Sequence, residues 1–380
     1  MSTISLDQGS LPAHPQALSG TQSFASAAEA AFVRHARLLL KDQFQRKVWL
    51  YWVDLIVTLV IGYSAASLYL ATTVWEFKIP ALIVAAFALF RAGTFIHEIS
   101  HMGRSTMRGF RAFWDICCGV PMLMPAFLYD CHIDHHAIPH YGTERDGEYI
   151  TLGQGPVSKI FWYLSQILVL PLAVVIRFQI LTPISFLHPK LRTWVLERCS
   201  NYTMHPFYRR TLPENAPRKY WALLDILCFA RISLMLGSVF VLGTLPFTHL
   251  VGIYVLAVCV IGLNWLRNLV AHHYGNEDGP MSHVSQLTDS INITGRPYIT
   301  ELLFPLGLRY HALHHFFAGI PYHSLGTAHR ILVKNLPADS PYHSTIRASF
   351  WAALRELWHD ARMNAAKKRQ ARKDQYSVAA

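Results

Sequence analysis

Four stretches of the chain are almost continuously apolar: residues 50–71, 79–96, 223–245 and 250–266. Each meets or approaches the roughly 20 residues that a helix needs to cross a bilayer. Aromatic residues stand where interfacial belts belong. Trp49, Tyr51 and Trp52 precede the first stretch, Trp75 follows it, and Tyr220 and Trp221 precede the third. The stretches pair off through short, nearly uncharged segments at 75–80 and 245–249, so the pattern predicts two transmembrane hairpins.

A fifth apolar run, 160–180, carries Pro171 near its middle, contains Arg177 and is soon followed by Pro183. The polar segments on both sides of it are basic, which places both on the same side of the membrane. A re-entrant or interfacial helix satisfies that parity; a fifth full span does not.

Basic residues fix the orientation. Arg34, Arg37, Lys41, Arg46 and Lys47 precede the first span; Lys190, Arg192, Arg198, Arg209, Arg210, Arg218 and Lys219 precede the third; Lys367, Lys368, Arg369, Arg372 and Lys373 lie in the C-terminal segment. By the positive-inside rule all of them are cytoplasmic. The expected organisation is a disordered tail over 1–30, a membrane domain over 31–335 and a basic cytoplasmic helix or tail over 336–380. The class is all-α: a multi-pass inner-membrane protein with both termini inside and a cytoplasmic helical cap.

Composition agrees. Apolar residues make up 52% and charged residues 15%, well under the roughly 25% charged share of a soluble domain. Disordered, collagenous and ordinary cytosolic classes are excluded. The net charge of +11 is mostly topological, which argues against a nucleic-acid partner. Six cysteines with no CxxC pair form neither a disulfide framework nor a zinc ribbon. The N-terminus lacks the basic and apolar regions of a signal peptide.

What composition leaves unexplained is 21 histidines against 23 acidic residues. They cluster. His97-Glu98-Ile99-Ser100-His101 closes the second span, and residues i and i+4 share a helical face. Read as HExxH it is the motif of a zinc peptidase with Glu98 as general base, but that leaves the other clusters idle. His132-Ile133-Asp134-His135-His136 and His311-Ala312-Leu313-His314-His315 are two copies of HxxHH, each offering three imidazoles over about one turn. Past the fourth span, Asn268 and His272 are again spaced i, i+4. Crowded imidazoles repel when protonated and waste buried donors when neutral, unless cations gather them.

Counting His97, His101, His132, His135, His136, His272, His311, His314 and His315 gives nine ligands. One zinc takes four, so nine imply two metals with four or five nitrogens each. Imidazole suits zinc, copper, iron and nickel alike. His140 and His273 stand beside these clusters with their roles open. A soluble ferritin-like site, suggested by Glu98-xx-His101 and Glu356-xx-His359, fails on the apolar spans and lacks further inward carboxylates. A metal transporter would carry its histidines inside the spans.

These boxes resemble those of the integral-membrane fatty acid desaturase and hydroxylase superfamily. Its three histidine boxes match His97–His101, His132–His136 and His311–His315, and Asn268-xxx-His272 resembles a fourth ligand contribution in acyl desaturases. The segments 141–149 (YGTERDGEY) and 310–332 are similar to bacterial members. The resemblance covers roughly residues 45–335. It implies two iron ions, O2 as co-substrate and a long acyl substrate, with Asn268 acting on the metal through a water.

Glu98, Asp134, Asp146, Glu148 and Asp278 are then expected to accept imidazole N–H groups. No heme-binding HPGG motif and no GxGxxG are present, so an external ferredoxin or cytochrome is expected to supply electrons. The leading expectation is acyl desaturation. Hydroxylation, ketolation or decarboxylation to a terminal alkene on the same scaffold is the alternative.

Overall fold

The computed structural model describes residues 26–103, 105–277 and 279–379. Helices Val48–Ala71 and Trp75–Ser100 form the first hairpin, and Arg218–Phe240 and Phe247–Leu269 the second. These helices are apolar around most of their circumference, as backbone satisfied within a lipid-facing helix requires. Val53, Val57, Val60 and Ile61 stay exposed on the first. Between the first two helices a small residue permits close approach: a Cβ at Gly62 would lie 2.8 Å from Leu89.

Where the sequence pattern stops at a polar residue, the helices do not. The second span starts at Trp75, so the expected loop over 75–80 contracts to 72–74, and it runs on to Ser100 because His97, Glu98 and Ser100 are buried by the cap. The third span begins at Arg218 and ends at Phe240. Residues 241–245, expected inside it, include Gly243 at φ 62° in the turn.

The helix Ala27–Leu39 begins within the segment expected as a tail, with Ser26 capping Glu29 N–H at 3.1 Å. Residues 1–25 of that segment lie outside the described residues.

Among the described residues five helices are long and apolar enough to cross a membrane: the four above and Ser158–Ser185. Its contacts reveal its depth. Tyr163 stacks on Trp265 near the C-terminal end of the last span, and Phe178 packs with Trp221, Leu224 and Cys228 in the first half of Arg218–Phe240. The helix Pro189–Arg198 follows at once, and the chain then reaches Tyr202, whose N–H donates to the Leu128 carbonyl. Both the N-terminal and the C-terminal parts of Ser158–Ser185 therefore pack on the second hairpin.

Buried charge anchors it there. Arg177 and Arg192 converge on Asp225 at 3.0 and 2.5 Å, and Asp225 is fully buried.

The cap consists of short helices: His132–His136, His283–Asp289, His311–Phe316, Tyr322–Asn335 and the long Phe350–Ala379. The strands, Asn292–Ile293 and Ile346–Arg347, form one two-residue parallel pairing. Ala27–Leu39 covers the third histidine box, its Phe32 ring stacked on Phe316 at 5.3 Å.

Candidate metal centre

All nine expected histidines gather at the junction of spans and cap, in two groups. His97, His101, His132, His136 and His314 form one; His135, His272, His311 and His315 form the other. Helical geometry explains the division. Residues i and i+4 sit about 40° apart on a helix of 3.6 residues per turn, whereas i+3 falls about 60° to the other side. In each HxxHH box the i, i+4 pair thus enters one group and the middle histidine the other. The boxes are crossed: the second sends its pair to the five-membered group, the third to the four-membered group.

His97 and His101 are placed by the end of the second span. His272 is placed differently from expectation. The helix stops at Leu269, so Asn268 and His272 are not one turn apart on it. His272 instead lies on extended chain bridged to Ser290.

The ring nitrogens converge. His314 Nε2 lies 3.0 Å from His101 Nε2 and 3.2 Å from His136 Nε2, and His136 is 3.0 Å from His132. In the second group His272 lies 2.9 Å from His311 and 3.2 Å from His135, and His315 is 3.2 Å from His311. Metal–nitrogen bonds of about 2.0–2.1 Å set at right angles place neighbouring nitrogens about 3 Å apart. The observed spacing has that size.

The outer nitrogens face acceptors that suit the Nδ1–H tautomer. His132 Nδ1 donates to Glu148 Oε1 at 2.6 Å, and Glu148 also accepts from Tyr129 at 2.7 Å. His135 Nδ1 donates to Asp146 at 2.8 Å. His272 Nδ1 donates to the Tyr141 hydroxyl at 2.8 Å, which passes its own proton to Asp289 at 2.7 Å. A neutral ring that donates from Nδ1 to a carboxylate or hydroxyl presents its Nε2 lone pair inward. Close inward-facing lone pairs repel unless something electron-poor lies between them. His97 Nε2, moreover, is buried with no partner among the described residues. The donor set fits two cations that favour imidazole.

Burial first, and neighbouring imidazoles second, hold His132, His136, His272, His311, His314 and His315 well below the usual histidine range, in the neutral form a metal needs. Burial, with a smaller contribution from His135, takes His101 to about 3. For His135 burial acts downward, but Asp146 outweighs it and the ring is pushed up. Burial raises Glu148 to about 7.

Of the carboxylates singled out by sequence, Asp146 and Glu148 meet imidazoles of the two groups. Glu98 does not: about 100° round the helix from His97, it accepts from Tyr51 at 2.5 Å. That also removes the general base from the HExxH reading. Asp134 accepts from His140 at 3.1 Å and Tyr208 at 3.3 Å, on the periphery. Asp278 lies outside the described residues.

His140 and His273 belong to neither group. His273 faces Glu356, whose carboxylate is held by the Arg347 fork. Sequence reading missed Tyr141, Asp289, Tyr129 and Ser290; the YGTERDGEY segment pointed to the first, and nothing in the local sequence to the rest.

Between the groups lies a small cavity with room for about one water, lined by histidines of both together with Glu148, Arg267 and Asn268. Nine clustered imidazoles at the end of a bundle of long apolar helices, backed by buried acids, are the arrangement of a membrane oxidoreductase of the histidine-box type. The family model for fatty acid desaturases matches residues 73–346, and the chain belongs to that family. It is 32% identical over 347 residues to a ceramide hydroxylase of Caulobacter vibrioides (strain NA1000 / CB15N), across 90% of this chain and 98% of that protein. No solved structure matches.

Proposed function

We propose that this protein is an O2-dependent di-iron enzyme that hydroxylates the acyl chain of a ceramide-like membrane lipid. The observation that carries the metal reading is the division of nine inward-facing imidazoles into groups of five and four. On this reading His97, His101, His132, His136 and His314 hold one iron; His135, His272, His311 and His315 hold the other. Asn268, which lines the cavity beside both groups, orients a metal-bound water. The relative's name supports hydroxylation, and the family model supports desaturation as the second reading.

The irons, when bound, supply the oxidising power toward O2 and an unactivated C–H bond that no acid–base pair of side chains possesses. The remaining work belongs to the protein. Asp146, Glu148 and the Tyr141–Asp289 pair fix the imidazole tautomers and strengthen the rings as donors. The cap shuts water away from the reacting carbon, and the position at the bundle end lets a lipid tail rise out of the bilayer.

Either reaction consumes one O2, two electrons and two protons. Hydroxylation returns one water and the alcohol; desaturation returns two waters and the alkene. The electrons come from an external acidic ferredoxin or cytochrome docking on the basic face, and on this reading that face and both termini are cytoplasmic in an inner membrane.

Lipid mass spectrometry of cells with and without the gene tests the assignment. A gene-dependent gain of one oxygen on a ceramide supports hydroxylation, and loss of two hydrogens supports desaturation. An unchanged lipid profile, with an active O2 and electron supply, refutes both.

A further inference from the structure

The groove between the second span and the helix Pro297–Leu303 takes no part in the metal centre, yet it holds charge within the span. Arg91 stands six residues before His97. That places it about 9 Å further toward the apolar half of the helix and about 120° round it from that histidine. It shares a face instead with Val84, Phe87 and Glu98, at spacings of seven, four and seven residues. An ionisable side chain at such a depth is costly and by default marks a functional site.

A cavity of about 380 Å³ opens there. A water in the liquid takes about 30 Å³, so the space suits a small polar head group with its first carbons. Phe87, Tyr298 and Leu302 supply apolar walls; Arg91, Glu301 and Arg309 supply the polar lining. Away from the histidines, Ile83 and Val84 remain exposed on the span, as do Tyr298, Ile299 and Leu302 on the short helix. An alkyl chain leaving the cavity thus has an apolar surface to follow.

The polar lining is balanced. Arg91 holds Asp54 through Nε at 3.0 Å and Nη2 at 2.6 Å, and Tyr322 donates to the same carboxylate at 3.0 Å. Arg309 directs its nitrogens to the carbonyls of Ile293, Pro297 and Thr294. Arg91 Nη1 and Glu301 Oε1 face each other at 3.8 Å, beyond hydrogen-bond length. Two guanidiniums against two carboxylates leave no net charge, so an anionic head gains nothing from the cavity as a whole and is repelled by Glu301. A hydroxyl or amide both donates and accepts. Set beside Nη1 and Oε1, it satisfies each at ordinary length.

We propose that this cavity is a binding site, separate from the metal centre, for an uncharged lipid head carrying hydroxyl and amide groups, the ceramide class. Arg91 and Glu301 hold the head, and the tails lie along the outer face of the second span. The lipid class is that of the proposed substrate and rests on that reading; the cavity and its charge balance do not.

The test uses the full-length protein, stripped of metal by chelator, in phosphatidylcholine nanodiscs with a ceramide that carries a photoactivatable group beside its amide. Adducts are located by peptide mass spectrometry, which counts ceramide at the histidine boxes separately. Adducts are expected on residues 87–91 and 297–305, displaced by unlabelled ceramide and far less by phosphatidylglycerol. Glu301→Gln replaces a charged acceptor by a neutral one and is expected to weaken ceramide about tenfold at these peptides. It also leaves the cavity net positive, so phosphatidylglycerol is expected to compete better than in wild type.

Leu302→Trp fills the cavity from an exposed position and is expected to abolish these adducts while those on the histidine-box peptides persist. Thermal midpoints confirm that both variants fold. Absence of adducts at these peptides in wild type, equal labelling of wild type and both variants, or displacement by phosphatidylglycerol as strong as by ceramide overturns the site. None of these outcomes touches the hydroxylation reading, which falls instead on an unchanged cellular lipid profile.

Discussion

Replacing Glu148 by Gln tests whether the two histidine groups are separate metal sites. The side chain keeps its shape, but the acceptor for His132 Nδ1–H at 2.6 Å loses its charge, and the second oxygen, accepting from Tyr129 at 2.7 Å, becomes an amide donor. A hydrogen bond to a charged group contributes about 1.5–3 kcal/mol and a neutral one about 1. The difference, about 1–2 kcal/mol, corresponds to roughly tenfold in affinity, within the range measured when an outer partner of a metal-bound imidazole is removed. It falls on the five-histidine group, because His132 belongs there.

Asp146→Asn does the same to the four-histidine group through His135. Dialysis against graded chelator, with metal counted by mass spectrometry, is expected to remove one ion per chain early in either single variant and both ions early in the double variant. Combining Glu148→Gln with His136→Ala, in the same group, is expected to cost only one ion; combining it with His315→Ala is expected to cost two. Loss of both ions together from Glu148→Gln alone would refute the division into separate sites.

Two further expectations follow from the fold. Asp225→Ala leaves Arg177 and Arg192 without their shared buried partner, a loss of about 3–5 kcal/mol, and the thermal midpoint in detergent is expected to drop sharply; an unchanged midpoint contradicts the anchoring of Ser158–Ser185 by this ion cluster. His329 is buried and accepts from or donates to Tyr342 at 2.7 Å, and burial, followed by Arg309, Arg330 and His343, lowers it to about 4. The unfolded chain binds this proton below about pH 6.5 and the folded chain refuses it until about pH 4, so stability falls as pH falls through that window, by up to about 1.4 kcal/mol per unit. In metal-loaded protein, His329→Gln is expected to flatten the midpoint's decline between pH 6.5 and 4.5; identical profiles contradict it.

The membrane class, the two hairpins and the nine histidines were legible in the chain because each rests on local order: apolar runs of spanning length, basic flanks, and i, i+3, i+4 spacings. Counting the histidines also led to an expectation of two groups, and the fold divides them into two. Span ends were less legible, since His97 and Glu98 look like surface residues until the cap buries them.

What local spacing does not encode is which imidazoles converge in one group. That depends on how four segments far apart in sequence meet, and the short helices of the second and third boxes interleave only once the spans have set their axes. The same holds for the carboxylates. Glu98 sits within the first box yet faces Tyr51, because a helix sends consecutive residues to different faces. Asp289, 17 residues from its histidine along the chain, reaches it through Tyr141. Sequence alone supplied the histidines and the apolar spans; the tertiary structure divided the histidines into two groups and placed Arg267 along the space between, because which side chains meet in a buried site depends on distances that only the folded chain sets.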